Sequence, residues 1–259
     1  MKVTFIQSDI EWEDKKANFS SYESMIGNMY GDTDVLVLPE MFNTGFSMNS
    51  GELAEDMKGE TMRWMAEMSA KGGFALLGSF IATVNGLYYN RLVFMKPDGS
   101  YTSYDKGHLF RMEKENMFYT KGDRRVIDSF RNWNFSMQIC YDLRFPVWSR
   151  NINNAYDIMV YVANWPASRR NVWNTLLKAR AIENQCFVLG VNRIGRDGNG
   201  IEYCGDSALI DPRGNIAAQA QLNKQEVITH EISLDELKKF REKFPVWLDA
   251  DPFELLSGQ

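Results

Sequence analysis

The chain has 259 residues, 44% of them apolar, enough for a large core without disulfides or a structural metal. Its formal charge is −5, from 29 basic and 34 acidic residues with no long block of one sign, which argues against nucleic acid or an anionic membrane surface as the main partner. Three cysteines without short spacings and only two histidines, His108 and His230, argue against a disulfide framework, a zinc site and a histidine-rich metal centre.

The start, "MKVTFIQSDIEWEDKK", has too short an apolar stretch for a secretory signal and turns acidic quickly. No apolar run reaches membrane-spanning length. A soluble, cytoplasmic protein with reduced thiols is the expectation.

In chain order, "KVTFIQ" reads as a strand. "WEDKKANFSSYESMIGNMY" reads as a helix with Phe19, Tyr22, Met25 and Ile26 on one face. "DVLVLPE" is a continuous apolar strand, and "ETMRWMAEMSAKGG" returns to helical spacing, its aligned Met62, Met65 and Met68 reading as core. "FALLGSFIATV" and "YYNRLVFMK" are strands, and the latter turns through "PDG" into "SYTSYDK". "FSMQIC" and "YDIMVYVANW" are strands with a short helix between them. "NVWNTLLKARAIENQC" is helical and "FVLGVNRI" is a buried strand. "EYCGDSALI", "DPRG" and "NIAAQA" make a second hairpin, and "EVITHEI" leads into a helix opened by a Ser233–Glu236 capping box.

No linker or composition break divides the chain, so residues 1–259 read as one domain. The halves rhyme: "YNRLVFMKPDGS" stands beside "GDSALIDPRGN", each a strand turning into a hairpin. That pattern fits two similar αβ layers packed sheet to sheet with helices outside; two ordinary hairpins with common turn residues fit it equally well.

Continuous apolar strands suggest sheets buried on both faces, whose strand ends collect functional groups. "DVLVLPE" ends in Glu40, "SYTSYDK" in Lys106 and "FSMQIC" in Cys140. A thiolate is a nucleophile, and a nearby ammonium would lower the thiol pKa. A carboxylate beside it can take the thiol proton and return it to a leaving amine. The same lysine, with a backbone N–H after the cysteine, can hold an oxyanion. The set suits attack on an amide or nitrile carbon. Taken singly, Glu40 also fits a loop acid, Lys106 a surface charge and Cys140 a core residue.

These residues carry a resemblance. "LPEMFNTGF", "YDKGHLF" and "CYDLRFP" are similar, in order, to the three signatures of the nitrilase superfamily of carbon–nitrogen hydrolases. "GGFALLGSF", "YNRLVFMKPDG", "VYVANWP", "KARAIENQCFVLGVNRIG" and "GDSALIDPRG" extend it over most of the chain. "MFNTGFSMN", "HLFRMEKE", "ANWP" and "FPVWLDADPF" resemble its omega-amidase branch, hydrolases of 2-oxo-acid amides.

The resemblance implies an α/β fold, a four-layer α-β-β-α sandwich with two similar halves. It implies Cys140 as nucleophile, Glu40 as general base and Lys106 as oxyanion-stabilising ammonium. It implies a second glutamate near the lysine: Glu115 is the better match and Glu113 the competitor, while a surface pair of Glu115 with Lys114 or Lys121 is the structural alternative. No metal or organic cofactor is implied. A homodimer or higher homo-oligomer is implied, with a dimer interface through the helix holding Arg180 and Glu183 and the tail from about 244 to 259 crossing to the partner.

The expected substrate is a small 2-oxo dicarboxylic acid monoamide, cleaved through a thioester, with the Tyr141 N–H aiding the oxyanion. Arg144 reads equally as a grip on the substrate carboxylate or as a partner of Asp142 or a neighbouring helix. Phe42, Phe110 and Trp165 read as walls of a small dry pocket or as core residues. Cys186 and Cys204 read as structural, and His108 as a local hydrogen-bonding residue. Competing functions are hydrolysis of an N-carbamoyl amine, an aliphatic amide or a nitrile, or a non-catalytic scaffold that keeps the fold.

Overall fold

The computed structural model describes residues 1–27 and 29–255. The chain opens with β1 (Lys2–Gln7), β2 (Val35–Val37), β3 (Ala75–Val84), β4 (Leu87–Met95) and β5 (Tyr101–Asp105). Next come β6 (Ile127–Phe130), β7 (Trp133–Ile139), β8 (Ile158–Ala163) and β9 (Phe187–Asn192). The last strands are β10 (Ile194–Arg196), β11 (Glu202–Cys204), β12 (Ala208–Ile210), β13 (Ile216–Gln219) and β14 (Glu226–Glu231). Among the described residues they make two six-stranded sheets, ordered β14-β1-β2-β3-β4-β5 and β6-β7-β8-β9-β12-β13, and a small β10-β11 hairpin.

The two sheets repeat one pairing pattern. Reading from β14, the neighbours run antiparallel, parallel, parallel, antiparallel, antiparallel. Reading from β6 gives the same series. The expected rhyme of the two halves is thus a repeat of topology. The first sheet borrows its opening strand, β14, from the far end of the chain.

Helices α1 (Lys15–Ile26), α2 (Ser50–Leu53), α3 (Glu60–Gly72), α4 (Glu115–Phe118), α5 (Arg170–Asn184) and α6 (Leu234–Lys243) complete the framework. Period-two alternation sorts the first sheet's side chains. Val35 and Val37 face the second sheet, with Phe135, Met137 and Ile139 in the same cluster. Leu36 and Leu38 face outward onto Phe19, Tyr22, Met62, Met65 and Met68 of α1 and α3. Across the molecule, Trp173, Leu177 and Ala181 of α5 and Leu237 of α6 join the cluster of the second sheet. The result is the α-β-β-α sandwich. Each large apolar side chain buried this way contributes roughly 1.5–3 kcal/mol.

Local chemistry trims several elements. The expected helix from Trp12 starts only at Lys15, where the Asp14 carboxylate accepts the Ala17 N–H at 3.0 Å and caps the first turn. "DVLVLPE" pairs only over Val35–Val37, because Pro39 has no N–H to give to a ladder. "EYCGDSALI" is two strands, not one. Gly205 and Asp206 both have left-handed φ, +83° and +59°, which sends β11 to β10 and β12 to β9. Only glycine fits position 205, since a Cβ there would lie 2.0 Å from the Gln7 side-chain oxygen.

Gln7 itself stitches the two halves. Its oxygen accepts the Ser207 N–H at 3.0 Å, and its amide donates to the carbonyls of Gln221 and Lys224 at 2.7 and 2.9 Å. Residues 256–259 of the expected partner-crossing tail lie outside the described residues.

The loop after β5 is held just as tightly. The Gly122 N–H donates to the Lys106 carbonyl at 2.8 Å, and a Cβ on Gly122 would lie 2.1 Å from the Asp105 carbonyl oxygen. Backbone cannot yield as a flexible side chain does. Gly122→Ala is therefore expected to cost roughly 1–3 kcal/mol and to lower the thermal midpoint by several degrees. An unchanged unfolding curve would show that these segments are not packed this closely.

Candidate active site

Four polar strand ends meet between the sheets. Glu40 follows β2, Lys106 follows β5, Cys140 follows β7 and Asn164 follows β8. Glu40, Lys106 and Glu115 are each at most 1% exposed. Charges so deep must be paired and fully hydrogen-bonded.

Lys106 Nζ donates to Glu40 Oε1 at 2.8 Å and to Glu115 Oε1 at 3.0 Å. The Asn90 amide bridges the same two carboxylates, at 2.7 and 3.4 Å. Glu40 Oε2 accepts the Asn164 N–H at 2.8 Å, and Glu115 Oε2 accepts the Phe110 N–H at 2.5 Å. The Phe46 ring covers the ammonium, 4.9 Å from its centroid.

Glu115 is the glutamate the structure brings to Lys106. Glu113 is exposed, in the 3₁₀ turn Arg111–Glu113. Glu115 opens α4 after Lys114, whose left-handed φ of +57° turns the chain inward.

Cys140 starts the 3₁₀ turn Cys140–Arg144 with a left-handed φ of +44°. Such a conformation costs roughly 1–3 kcal/mol in a non-glycine residue and persists only where its surroundings enforce it. Asp142 is the enforcer. Its Oδ2 accepts the Ile139 N–H at 2.9 Å and the Tyr104 hydroxyl at 2.7 Å. Its Oδ1 accepts the His108 N–H at 2.9 Å and faces His108 Nδ1 at 2.8 Å. One carboxylate thus ties the turn that holds Cys140 to the segment that holds Lys106. The Phe145 ring stacks on His108 at 3.7 Å.

Asn164 joins Cys140 and Glu40. Its N–H donates to Glu40, its carbonyl faces Cys140 Sγ at 3.9 Å, and its side chain donates to the Glu40 carbonyl at 2.6 Å.

Lys106 lowers the thiol pKa as expected, but it is outweighed. Burial pushes the Cys140 thiol well above its ordinary value, and the Glu40 charge adds to that; Lys106 opposes both without prevailing. Burial pulls Lys106 down, but Glu115 and Glu40 outweigh it and hold the ammonium firmly charged. Glu115 is raised by burial, with Lys106 opposing and Glu40 reinforcing. The ammonium is committed to two carboxylates, so little of its field is left for sulfur. The sulfur is therefore held as a thiol.

A small pocket opens above Cys140 and Lys106. Phe46, Phe110, Tyr141, Trp165 and Tyr203 wall it, and Glu113, Arg144 and Arg169 also line it. Phe110 and Trp165 stand where expected, and Tyr141 packs edge-on to Phe110 at 5.1 Å.

Phe42 does not. It is fully buried against Phe19, Tyr22 and Trp64 under the helices. Met41, with a left-handed φ of +46°, turns the chain directly after Glu40, and Phe46 takes the pocket position instead. Among the described residues Arg144 pairs with neither Asp142, whose oxygens are occupied, nor a helix acid; its guanidinium lies 5.2 Å over the Trp165 ring. Cys186 is wholly buried, and Cys204 Sγ contacts Asp206 at 3.8 Å.

Phe46, Asn90 and Asn164 stand in the sequence segments that carry the resemblance but with no role of their own, and Tyr203 and Arg169 carry none there. Asn164 had a usable signal, a polar residue ending a buried apolar strand. So had Asn90, an amide inside "YYNRLVF". Tyr203 and Arg169 lie on segments that only the fold brings here. Among the described residues, no group of three His, Cys, Asp or Glu side chains could hold a metal ion, and no helix is long and apolar enough to cross a membrane.

Glu40→Gln removes the charge that, after burial, most raises the thiol, while Lys106 stays. Alkylation of Cys140 by iodoacetamide, read from the mass of its peptide, is expected to run several-fold faster in this variant near neutral pH. In the wild type the rate is expected to climb across about pH 7 to 9 without levelling. A wild-type plateau below about pH 8 would contradict the raised thiol.

A family model described as carbon–nitrogen hydrolase matches residues 2–242. The chain is 44% identical over 257 residues to the omega-amidase YafV of Escherichia coli strain K12, covering 98% of each chain. It is 32% identical over 251 residues to a 2-oxoglutaramate amidase of Bacillus subtilis strain 168, covering 95% of this chain and 96% of that one. Among solved structures, a carbon–nitrogen hydrolase superfamily protein of Xanthomonas campestris, with an arsenic adduct in its active site, aligns with a TM-score of 0.96 at 39% identity over 98% of each chain. A nitrilase superfamily member of Saccharomyces cerevisiae aligns with a TM-score of 0.85 at 25% identity, covering 95% of this chain and 94% of that one. With a match running through both sheets and the whole buried cluster, this chain belongs to the carbon–nitrogen hydrolase family of the nitrilase superfamily and is a hydrolase of carbon–nitrogen bonds.

Proposed function

We propose that the protein is an omega-amidase, releasing ammonia from small 2-oxo dicarboxylic acid monoamides such as 2-oxoglutaramate and 2-oxosuccinamate. The observation that carries this reading is Arg144, held on the Trp165 face in the pocket that opens onto Cys140 and Lys106. A guanidinium without an acid partner there suits a substrate that brings its own carboxylate. The names borne by the 44% and 32% identical relatives support the same substrate class.

The mechanism is a two-step acyl transfer. Glu40 takes the Cys140 proton as sulfur attacks the amide carbon, which answers the need set by a thiol that is neutral at rest. Lys106 and the Tyr141 N–H receive the oxyanion. The Tyr141 N–H belongs to the first turn of a 3₁₀ segment, where backbone donors lack intrahelical acceptors. Glu40 then gives its proton to the departing ammonia. A water takes ammonia's place, Glu40 activates it, and the thioester is hydrolysed to the 2-oxo acid. Glu115 holds Lys106 in place throughout.

The reading extends to assembly. Ile182, Phe244 and Leu248 leave apolar surface exposed on α5 and the start of the tail, which suits a homodimer through this face in the cytoplasm. Sedimentation is expected to give a dimer, and a monomer at micromolar concentration would remove that part of the proposal.

The activity test is ammonia release from 2-oxoglutaramate, 2-oxosuccinamate, glutamine, an N-carbamoyl amine and a simple nitrile. Turnover is expected for the 2-oxo amides, and Cys140→Ala is expected to lose at least about 10³-fold. Arg144→Gln is expected to raise KM about 10–100-fold, the worth of a charge-assisted hydrogen bond. Preference for the carbamoyl amine or the nitrile would overturn the substrate assignment.

A further inference from the structure

We propose that Arg169 is a second carboxylate-gripping residue of this pocket, and that it and Arg144 together select amides bearing an acid group remote from the scissile bond. The proposal rests on the amidase reading and deepens it.

Arg169 ends the 3₁₀ turn Ala167–Arg169 that leads into α5. Its guanidinium lies 5.2 Å over the Phe110 ring, on another wall of the pocket that Arg144 lines from Trp165. Two planar cations that line the pocket are thus held against aromatic faces.

The scaffold links them. Trp165 carries Arg144 on its ring, and its Nε1 donates to the Arg169 carbonyl at 2.9 Å. Phe110 carries Arg169, and its N–H donates to Glu115. Trp165 itself follows Asn164, the residue bridging Glu40 and Cys140. Both cations therefore stand on residues fixed to the reacting groups, which gives the acid end of a substrate a set position relative to sulfur.

The charge pattern points the same way. Among the described residues, neither Arg144 nor Arg169 forms an ion pair, although arginines elsewhere do: Arg91 with Asp105, Arg193 with Asp9, Arg241 with Asp157. The contrast is sharpest one residue on, where Arg170 holds Asp206 with two hydrogen bonds of 2.8 and 3.0 Å. At the pocket floor Lys106 is already matched by two carboxylates. The unmatched positive charge lies in the two arginines, opposed only by Glu113 among the described lining residues. A carboxylate between the guanidinium groups would relieve their repulsion and satisfy both.

The test compares kcat/KM for 2-oxoglutaramate with that for pentanamide, a neutral amide of the same chain length, in the full chain and in Arg169→Gln, Arg169→Lys and Arg144→Gln. Arg169→Gln is expected to lower the acid-over-neutral ratio about 10–100-fold, mainly through KM for the acid. Arg169→Lys is expected to recover part of that loss, as a point charge without the fork. Cys140 alkylation, read alongside, shows whether the reacting groups remain in place. Equal losses on both amides would make Arg169 a structural prop and overturn the inference. So would an unchanged ratio in Arg169→Gln while Arg144→Gln lowers it, and the omega-amidase reading would then stand on Arg144 alone. A wild type that prefers pentanamide would overturn both readings.

Discussion

A single buried ammonium shared by two buried carboxylates sets the terms for this molecule. Lys106 stands between Glu40 and Glu115 with all three side chains at most 1% exposed. Breaking such an array by removing one partner costs about 3–5 kcal/mol, because the remaining charge is left without a match. Every oxygen of the two acids must also be occupied. The chain meets that demand with the Asn90 amide and the N–H groups of Asn164 and Phe110. These donors come from β4, from the end of β8 and from the loop before α4. The cluster therefore forms only when both sheets are packed.

The repeated topology explains where the cluster sits. β2 and β8 are the third strands of their sheets, counted from β14 and β6, and their ends meet as Glu40 and Asn164. β1 and β7 are the second strands. One ends in Cys140's turn; the other ends in Gln7, an amide that ties the halves together. Equivalent strand ends have thus been given a reactive thiol in one half and a neutral stitch in the other. Asp142 adds the remaining tie, fixing the Cys140 turn to Tyr104 and His108. With both segments pinned, the left-handed backbone at Cys140 is held in place, and its sulfur sits against the Asn164 carbonyl beside Glu40.

Depth divides the labour within the pocket. At the floor, burial raises the Cys140 thiol well above its ordinary value. Nearer to solvent, the aromatic faces hold guanidinium groups that remain unpaired among the described residues. Floor chemistry of this kind suits attack on any small amide carbon. Choice among amides falls to the walls.

Much of this was readable from the residues in order. Apolar runs located the sheet strands of both halves, except the short, half-exposed β6. Glu40 and Cys140 end runs buried on both faces, which leave functional groups only their ends; Lys106 ends the half-exposed edge strand β5. Other features required the fold. Phe42 gave way to Phe46 because one left-handed residue, Met41, reverses the side toward which the next side chain points. Arg169 and Tyr203 reach the pocket from a helix entry and a hairpin that no spacing connects to Cys140. The thiol's elevation is a sum over burial and charges contributed by residues 40, 106 and 115, which the fold alone brings together. The amino-acid order determines which strand ends carry reactive groups, because that depends on local pattern. Their charge state and the pocket that selects a substrate depend on distances between segments remote in the chain, and those were decided by tertiary packing.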